Sequence, residues 1–303
     1  MNPFSRRVLL QGAAASLLPS LSRAAKSSIR LAFGTYGMKS LETGLALRTL
    51  REIGYEGVEL CIMAGWPSDS AKLTPSTRRE LRTILSGTHL EIPAIQESLP
   101  LIGTAGKREY NLTRVKLAAE IAHDIAAPAP VLDTIVGLKA GEWDGVKDRM
   151  AEELQDWIRA TEGSGLVIAI KPHAGQALDN VERTRWLVQQ VASSRLRVVY
   201  DYSHFHVEGF GLEESLRALL PLTAYIAVKD AEGTPERHDY LLPGDGRTDY
   251  VAYFRTLSKL GYRGYAGVEV SGQIHQRPGY DPVATARLCY QRLSKARAEA
   301  SRP

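Results

Sequence analysis

The stretch Leu166-Val-Ile-Ala-Ile-Lys-Pro-His173 reads as a buried β-strand that ends on a lysine and a histidine, where an apolar core strand would simply stop. It is one of eight such runs. Strands are expected at 29–33, 57–62, 92–97, 131–136, 167–172, 197–202, 225–229 and 266–270. Helical patterns fill the intervals, at 41–53, 75–85, 108–125, 146–161, 180–191, 212–220, 250–260 and 282–296. Apolar residues recur in them at three- and four-residue steps, as with Leu45, Leu50 and Ile53 or Val115, Ala118, Ala119 and Ala122. Asp249-Tyr250 and Asp281-Pro282 supply helix starts, the second with proline at the first helical position. Strands alternating with helices imply right-handed crossovers and a parallel sheet. Eight units favour closure into a (β/α)8 TIM barrel over an open doubly wound sheet. No G-x-G-x-x-G follows the first strand, which also opposes a dinucleotide-binding fold.

Strand parity then locates the chemistry, because barrels of this kind build their sites at the C-terminal rim of the strands. With Ile168 and Ile170 turned out to the helices, Val167, Ala169, Lys171 and His173 face the interior. The same alternation turns Asp201 and Ser203 inward on the sixth run, Ala227 and Lys229 on the seventh, and Gly267, Glu269 and Ser271 on the eighth. Glu59 and Asp133 share that inward parity, and the third run leaves Gln96 and Glu97 as alternatives. Buried charge is costly unless paired. An ion-paired plug, with Lys171 against Asp201 or Glu269, is therefore the bland account of this ring, and a reaction centre is the sharper one. His173 leaves its strand behind a rigid proline. Ser203-His204-Phe205-His206 adds two imidazoles, His204 the nearer to its strand end. Residues 240–246 read as a long loop with a tight Pro/Gly turn, preceded by Arg237 and His238.

The 303 residues are 44% hydrophobic and 24% charged, ordinary for a globular chain. The formal net charge of +4 is concentrated at the N-terminus: Met1 to Ala24 holds Arg6, Arg7 and Arg23 and no acid, so the remainder carries only +1. A near-neutral body gives no electrostatic basis for nucleic-acid binding. Residues 1–24 read as a twin-arginine signal peptide. Ser5-Arg6-Arg7-Val8-Leu9-Leu10 precedes a short apolar stretch, and Ser22-Arg23-Ala24 offers small residues at −3 and −1 of a cleavage site. That reading implies handling by the twin-arginine translocase, a periplasmic or exported location, and an apolar stretch too short for stable membrane insertion. Residues 25–303 then form one domain. Cys61 and Cys289 have no metal-site spacing and read as buried small hydrophobes.

Five pieces fall in a telling order: Tyr55-Glu56-Gly57-Val58-Glu59-Leu60, the Asp201-x-x-His204 step, Val228-Lys229-Asp230, Pro243-Gly244-Asp245-Gly246, and Leu260-Gly261-Tyr262-x-Gly264-Tyr265-x-Gly267-Val268-Glu269. Together they resemble the xylose isomerase-like TIM barrel superfamily of sugar and sugar-phosphate isomerases and epimerases, over nearly all of the chain after the signal. In the tagatose/psicose 3-epimerase branch, the resemblance implies a divalent metal held by acids on the fifth, sixth and eighth strands and a histidine on the seventh. Asp201 and Glu269 match two of those positions; Lys171 and Ala227 stand at the other two. A charged lysine cannot ligate.

The resemblance therefore implies a sugar isomerase or epimerase acting by proton abstraction next to a carbonyl, with no certain cofactor. Lys171, helped by Lys229, would replace the positive charge of the metal, Glu269 or Asp201 would be the general base, and His173 or His204 the proton relay. Glu59, Glu97, Asp133, His204 and Arg237 are candidate substrate-binding residues. A Schiff base on Lys171 is a further option. Two alternatives stay open. One is a rearranged metal site (Mn, Mg, Co or Zn) from Glu59, Glu97, Asp201, His204 and Glu269, with Asp201, His204 and Glu269 at its centre. The other is a non-catalytic carbohydrate-binding barrel. An apurinic-site endonuclease of the same superfamily is excluded by near-neutral charge and sparse histidines.

Overall fold

Short alternating runs fold as the strands they resemble. In the computed structural model, which describes residues 29–103, 105–126 and 128–302, they are β1 (Arg30–Gly34), β2 (Gly57–Cys61), β3 (Glu91–Gln96), β4 (Val131–Ile135), β5 (Ile168–Lys171), β6 (Leu196–Asp201) and β7 (Thr223–Val228). A hairpin of β8 (Asp230–Thr234) and β9 (Arg237–Leu241) follows, and then the last barrel strand, β10 (Tyr265–Val268). Neighbours pair in parallel, and β10 closes the barrel on β1 through the register Arg30↔Tyr265 to Phe33↔Val268. The export segment read at 1–24 lies outside the described residues.

Parity sorts the side chains as alternation requires. Ile168, Ile170, Val198, Tyr200, Ile226, Val228, Val268 and Val270 join the large core between barrel and helices. Each such burial contributes about 1.5–3 kcal/mol. The interior cluster is made of Ala32, Ala94, Ala169, Val199, Ala227, Tyr225 and Tyr265. Four alanines there leave room, one step further along the strands, for long charged side chains to fold inward. Asp249 and Asp281 cap their helices as expected, each accepting from two backbone N–H groups. Cys61 and Cys289 are buried and free.

One element departs from the sequence reading. The segment after β7 is an antiparallel hairpin in the register Asp230↔Leu241 to Thr234↔Arg237, and not simply a long loop. Its strands, Asp-Ala-Glu-Gly-Thr and Arg-His-Asp-Tyr-Leu, lack apolar alternation, so the period-two signal is missing. The Pro243–Gly246 turn beyond it is pinned by Asp230, whose Oδ2 accepts from the N–H groups of Gly244 (2.9 Å) and Gly246 (3.0 Å). Tyr250 donates to the other oxygen at 3.0 Å. Two short helices, Tyr202–Val207 and Gly272–His275, also extend β6 and β10 beyond expectation.

Candidate active site

The inward charges converge at the C-terminal ends of the strands. Lys171, at the end of β5, reaches across the barrel to Glu269, just past β10, and lies 2.8 Å from Asp133 of β4. Lys229, just past β7, binds Asp201 of β6 and sits 3.0 Å from Glu269. The two ammonium groups thus hold opposite oxygens of one carboxylate, Lys171 on Oε2 and Lys229 on Oε1. The ion-paired plug expected from sequence sets Lys171 against Asp201 or Glu269; its partners are Glu269, across the barrel, and Asp133, on the neighbouring strand.

Electrostatics follow from that packing. Burial alone would pull Lys171 down, but Asp133, Glu269, Glu59 and Asp201 outweigh it and hold the ammonium well above its ordinary range. An amine so firmly protonated is a poor nucleophile, which argues against a Schiff base at Lys171. Burial pushes Glu269 up, yet Lys171 and Lys229 prevail and hold it well below the usual carboxylate range. Deeper in the barrel the balance reverses. Burial, then the charge of Asp133, push Glu59 well above that range, and both of its oxygens lack a hydrogen-bond donor among the described residues. Burial likewise raises Asp133.

Two imidazoles sit above the lysines with ring centroids 4.1 Å apart. His173 Nδ1 lies 2.9 Å from the carbonyl oxygen of Lys171. A carbonyl only accepts, so Nδ1 carries the proton and Nε2 is left as an acceptor. Burial, then Lys171 and Lys229, pull His173 down to about 3, so the ring is neutral at physiological pH. His204 is held from both sides: its Nδ1 accepts from the Ala174 N–H at 3.2 Å, and its Nε2 lies 3.3 Å from the Lys229 ammonium and 3.6 Å from Asp201. His206 turns instead against Tyr202, at 5.5 Å.

Access is narrow. Glu269 is the most exposed of the five paired charges, with 9% of its side chain reachable against 0–1% for Lys171, Lys229, Asp133 and Asp201. His173, Tyr36 and Tyr240 around this group are half-buried. Tyr240 carries no site signal in the sequence, because β9 lacks the apolar alternation that would mark it as a strand. The hairpin brings its hydroxyl 2.9 Å from both His204 Nδ1 and His238 Nε2, and its ring lies 4.9 Å from the Lys229 ammonium.

Two expected site residues are not part of this group. Glu97 follows the last residue of β3 and is claimed by Arg114, which also binds Asp69 at 2.7 Å and the carbonyl of Ile62. Burial pushes Glu97 up to about 7 against the pull of that guanidinium. Arg237 is exposed at the start of β9, its backbone paired with Thr234. A cavity of about 680 Å3 lies at the other end of the barrel around Arg30, His89, Glu91 and Tyr265. Barrels use that face for stability, so its size does not make it the reaction centre.

Set beside known proteins, residues 47–288 match the family model described as Xylose isomerase-like TIM barrel. The chain belongs to that family. The inosose dehydratase of Geobacillus kaustophilus (strain HTA426) is 24% identical over 190 residues, 55% of each chain. The chain thus spans little more than half the length of the curated relatives it matches. A xylose isomerase domain protein from Alicyclobacillus acidocaldarius superposes with a TM-score of 0.73 at 18% identity, over 91% of this chain and 100% of that one. The 3-keto-D-glucoside 4-epimerase from E. coli gives 0.72 at 15% identity, over 88% and 99%. At such identities these structures share the fold.

For a xylose isomerase-like barrel the donor set here does not fit the family's divalent ion. The resemblance assigns an acid and a histidine to the positions of Lys171 and Ala227, and both oxygens of Glu269 are taken by ammonium groups. The rearranged set fares no better. Glu97 is bound to Arg114, Glu59 lies against Asp133, and among the described residues no three His, Cys, Asp or Glu side chains are placed to hold a metal ion.

Proposed function

We propose that this chain is a sugar isomerase- or epimerase-like enzyme that removes a proton next to a carbonyl, with lysine ammonium groups in place of a metal. The observation that carries this reading is the grip of Lys171 and Lys229 on the two oxygens of Glu269. A keto-sugar entering over Glu269 would bring its carbonyl oxygen to those ammonium groups. As one of them turns to the carbonyl, Glu269 loses part of what holds its pKa down and becomes a stronger base where it is needed. The α C–H bond breaks, its proton passes to Glu269, and its electron pair forms an enediolate whose oxygen stays against the ammonium. His173, whose Nδ1–H is held by the Lys171 carbonyl so that Nε2 is left as an acceptor, is the second proton-transfer group.

Curated relatives named as an inosose dehydratase and as a putative L-ribulose-5-phosphate 3-epimerase support a carbohydrate substrate. The segment Met1 to Ala24 supports export through the twin-arginine route, a location that favours free or oxidised sugars and glycosides over sugar phosphates. The test is deuterium incorporation from solvent into a panel of keto-sugars. Exchange by the wild-type protein that is lost in Lys171→Met supports the proposal. Saturable sugar binding without exchange would instead identify a non-catalytic binding barrel.

A further inference from the structure

We propose that the cleft beside the barrel mouth, walled by Trp66, His275 and Tyr280 and carrying Lys39 and Arg277, binds an anionic group of the substrate, a carboxylate or a phosphate monoester remote from the reacting carbons. This deepens the reading of the same site as a sugar-converting centre and rests on it.

The cleft encloses about 400 Å3, enough for a substituted part of a sugar, and its lining holds no aspartate or glutamate. Both cations are available. Lys39 is exposed, its Nζ 4.0 Å from the Trp66 ring centre. Arg277 gives its Nε–H to the carbonyl of Gln273 at 2.7 Å, which leaves the end of its fork uncommitted. Neither forms an ion pair with a carboxylate among the described residues. Two unpaired cations over a wall without acids recognise negative charge, and arginine matches a carboxylate or phosphate with two parallel donors.

The wall itself is rigid. Trp66 stacks on Tyr36 with ring centres 5.2 Å apart and donates its Nε1–H to the Tyr36 carbonyl at 3.1 Å. His275 meets the edge of Tyr36 at 4.7 Å, and its buried Nε2 has no hydrogen-bond partner among the described residues. The cleft opens beside the reaction centre because of where its walls start: Tyr36 and Lys39 follow β1, and His275 and Arg277 follow β10, the neighbouring strand that leads into Glu269. Such a placement puts the charged end of a substrate between Lys39 and Arg277 on the side of the mouth next to Glu269.

The experiment is calorimetric titration of the full chain with three ketoses of one carbon skeleton: D-fructose, D-fructuronate and D-fructose 6-phosphate. The expected result is that at least one anionic ketose binds roughly 10- to 100-fold more tightly than D-fructose, the worth of one charge-assisted hydrogen bond. The double variant Lys39→Gln/Arg277→Gln, outside the reaction centre, should erase that preference and leave D-fructose binding unchanged. A carboxylate-only preference identifies a sugar acid, and a phosphate-only preference a sugar phosphate. Equal affinities, failure of both anionic ketoses to bind, or a preference that survives the double variant would overturn the proposal. Binding is read without turnover, so a charge preference without solvent-deuterium exchange refutes the reaction and leaves the cleft standing. Exchange with no charge preference does the reverse.

Discussion

The Nζ of Lys171 lies 2.8 Å from Oδ2 of Asp133, and each side chain is only about 1% exposed. An ion pair so far from water links stability and chemistry, because the lysine that would stabilise an enediolate also neutralises acids the barrel cannot solvate. Lys171→Met should lower solvent-deuterium exchange about 100- to 1,000-fold. It should also cost about 3–5 kcal/mol in denaturant unfolding by leaving buried carboxylates unpaired. Adding Asp133→Asn should recover much of the stability and none of the exchange. A double variant with restored exchange would contradict the role given to the ammonium.

Glu59 and His173 give stability opposite dependences on pH. Glu59, raised by burial and Asp133, keeps in the native state a proton that the unfolded chain loses above about pH 4.3. The native state then binds more protons, so stability falls as pH rises through that window. His173, pulled down to about 3 chiefly by burial, stays neutral while the unfolded chain protonates below about pH 6.5. Stability therefore falls again as pH drops from there toward 3. Thermal melts should show Glu59→Gln flattening the alkaline decline and His173→Gln flattening the acid one. Two variants with the wild-type pH profile would refute these assignments.

The hairpin can be disturbed without touching the barrel. Gly233 in β8 has φ +113°, and a Cβ there would lie 2.3 Å from the carbonyl oxygen of Arg237. Gly233→Ala should cost about 1–3 kcal/mol of local strain. Displacing Tyr240 from His204 should cut exchange by up to about 100-fold with little change in the main thermal transition. Full activity in this variant would mean that the hairpin is only a cover.

Much of this architecture was legible in the chain. Strand ends fell within two residues of expectation because fully buried parallel strands such as Ile168–Lys171 have sharp polar boundaries. Inward parity correctly turned Lys171, Asp201, Asp133 and Glu59 into the barrel, since alternation is a local property. Partner choice was less legible. Whether Lys171 meets Asp133 or Asp201 depends on the register of β4 and β5, where Ile135 lies opposite Lys171, and register is not encoded in either strand alone. Glu97 was ambiguous because it follows the last residue of β3, where alternation ends and a helix arginine 17 residues on decides its direction. The hairpin escaped because it buries only Asp230 and Ala231 of its first strand and so has little apolar pattern to read.

The central claim is that Lys171 does the work of a metal. It is tested most directly by comparing solvent-deuterium exchange into keto-sugars before and after exhaustive chelation, with the metal content of the same samples measured. The account predicts equal exchange in both samples and its loss in Lys171→Met. A stoichiometric divalent ion whose removal abolishes exchange and whose return restores it would contradict the account.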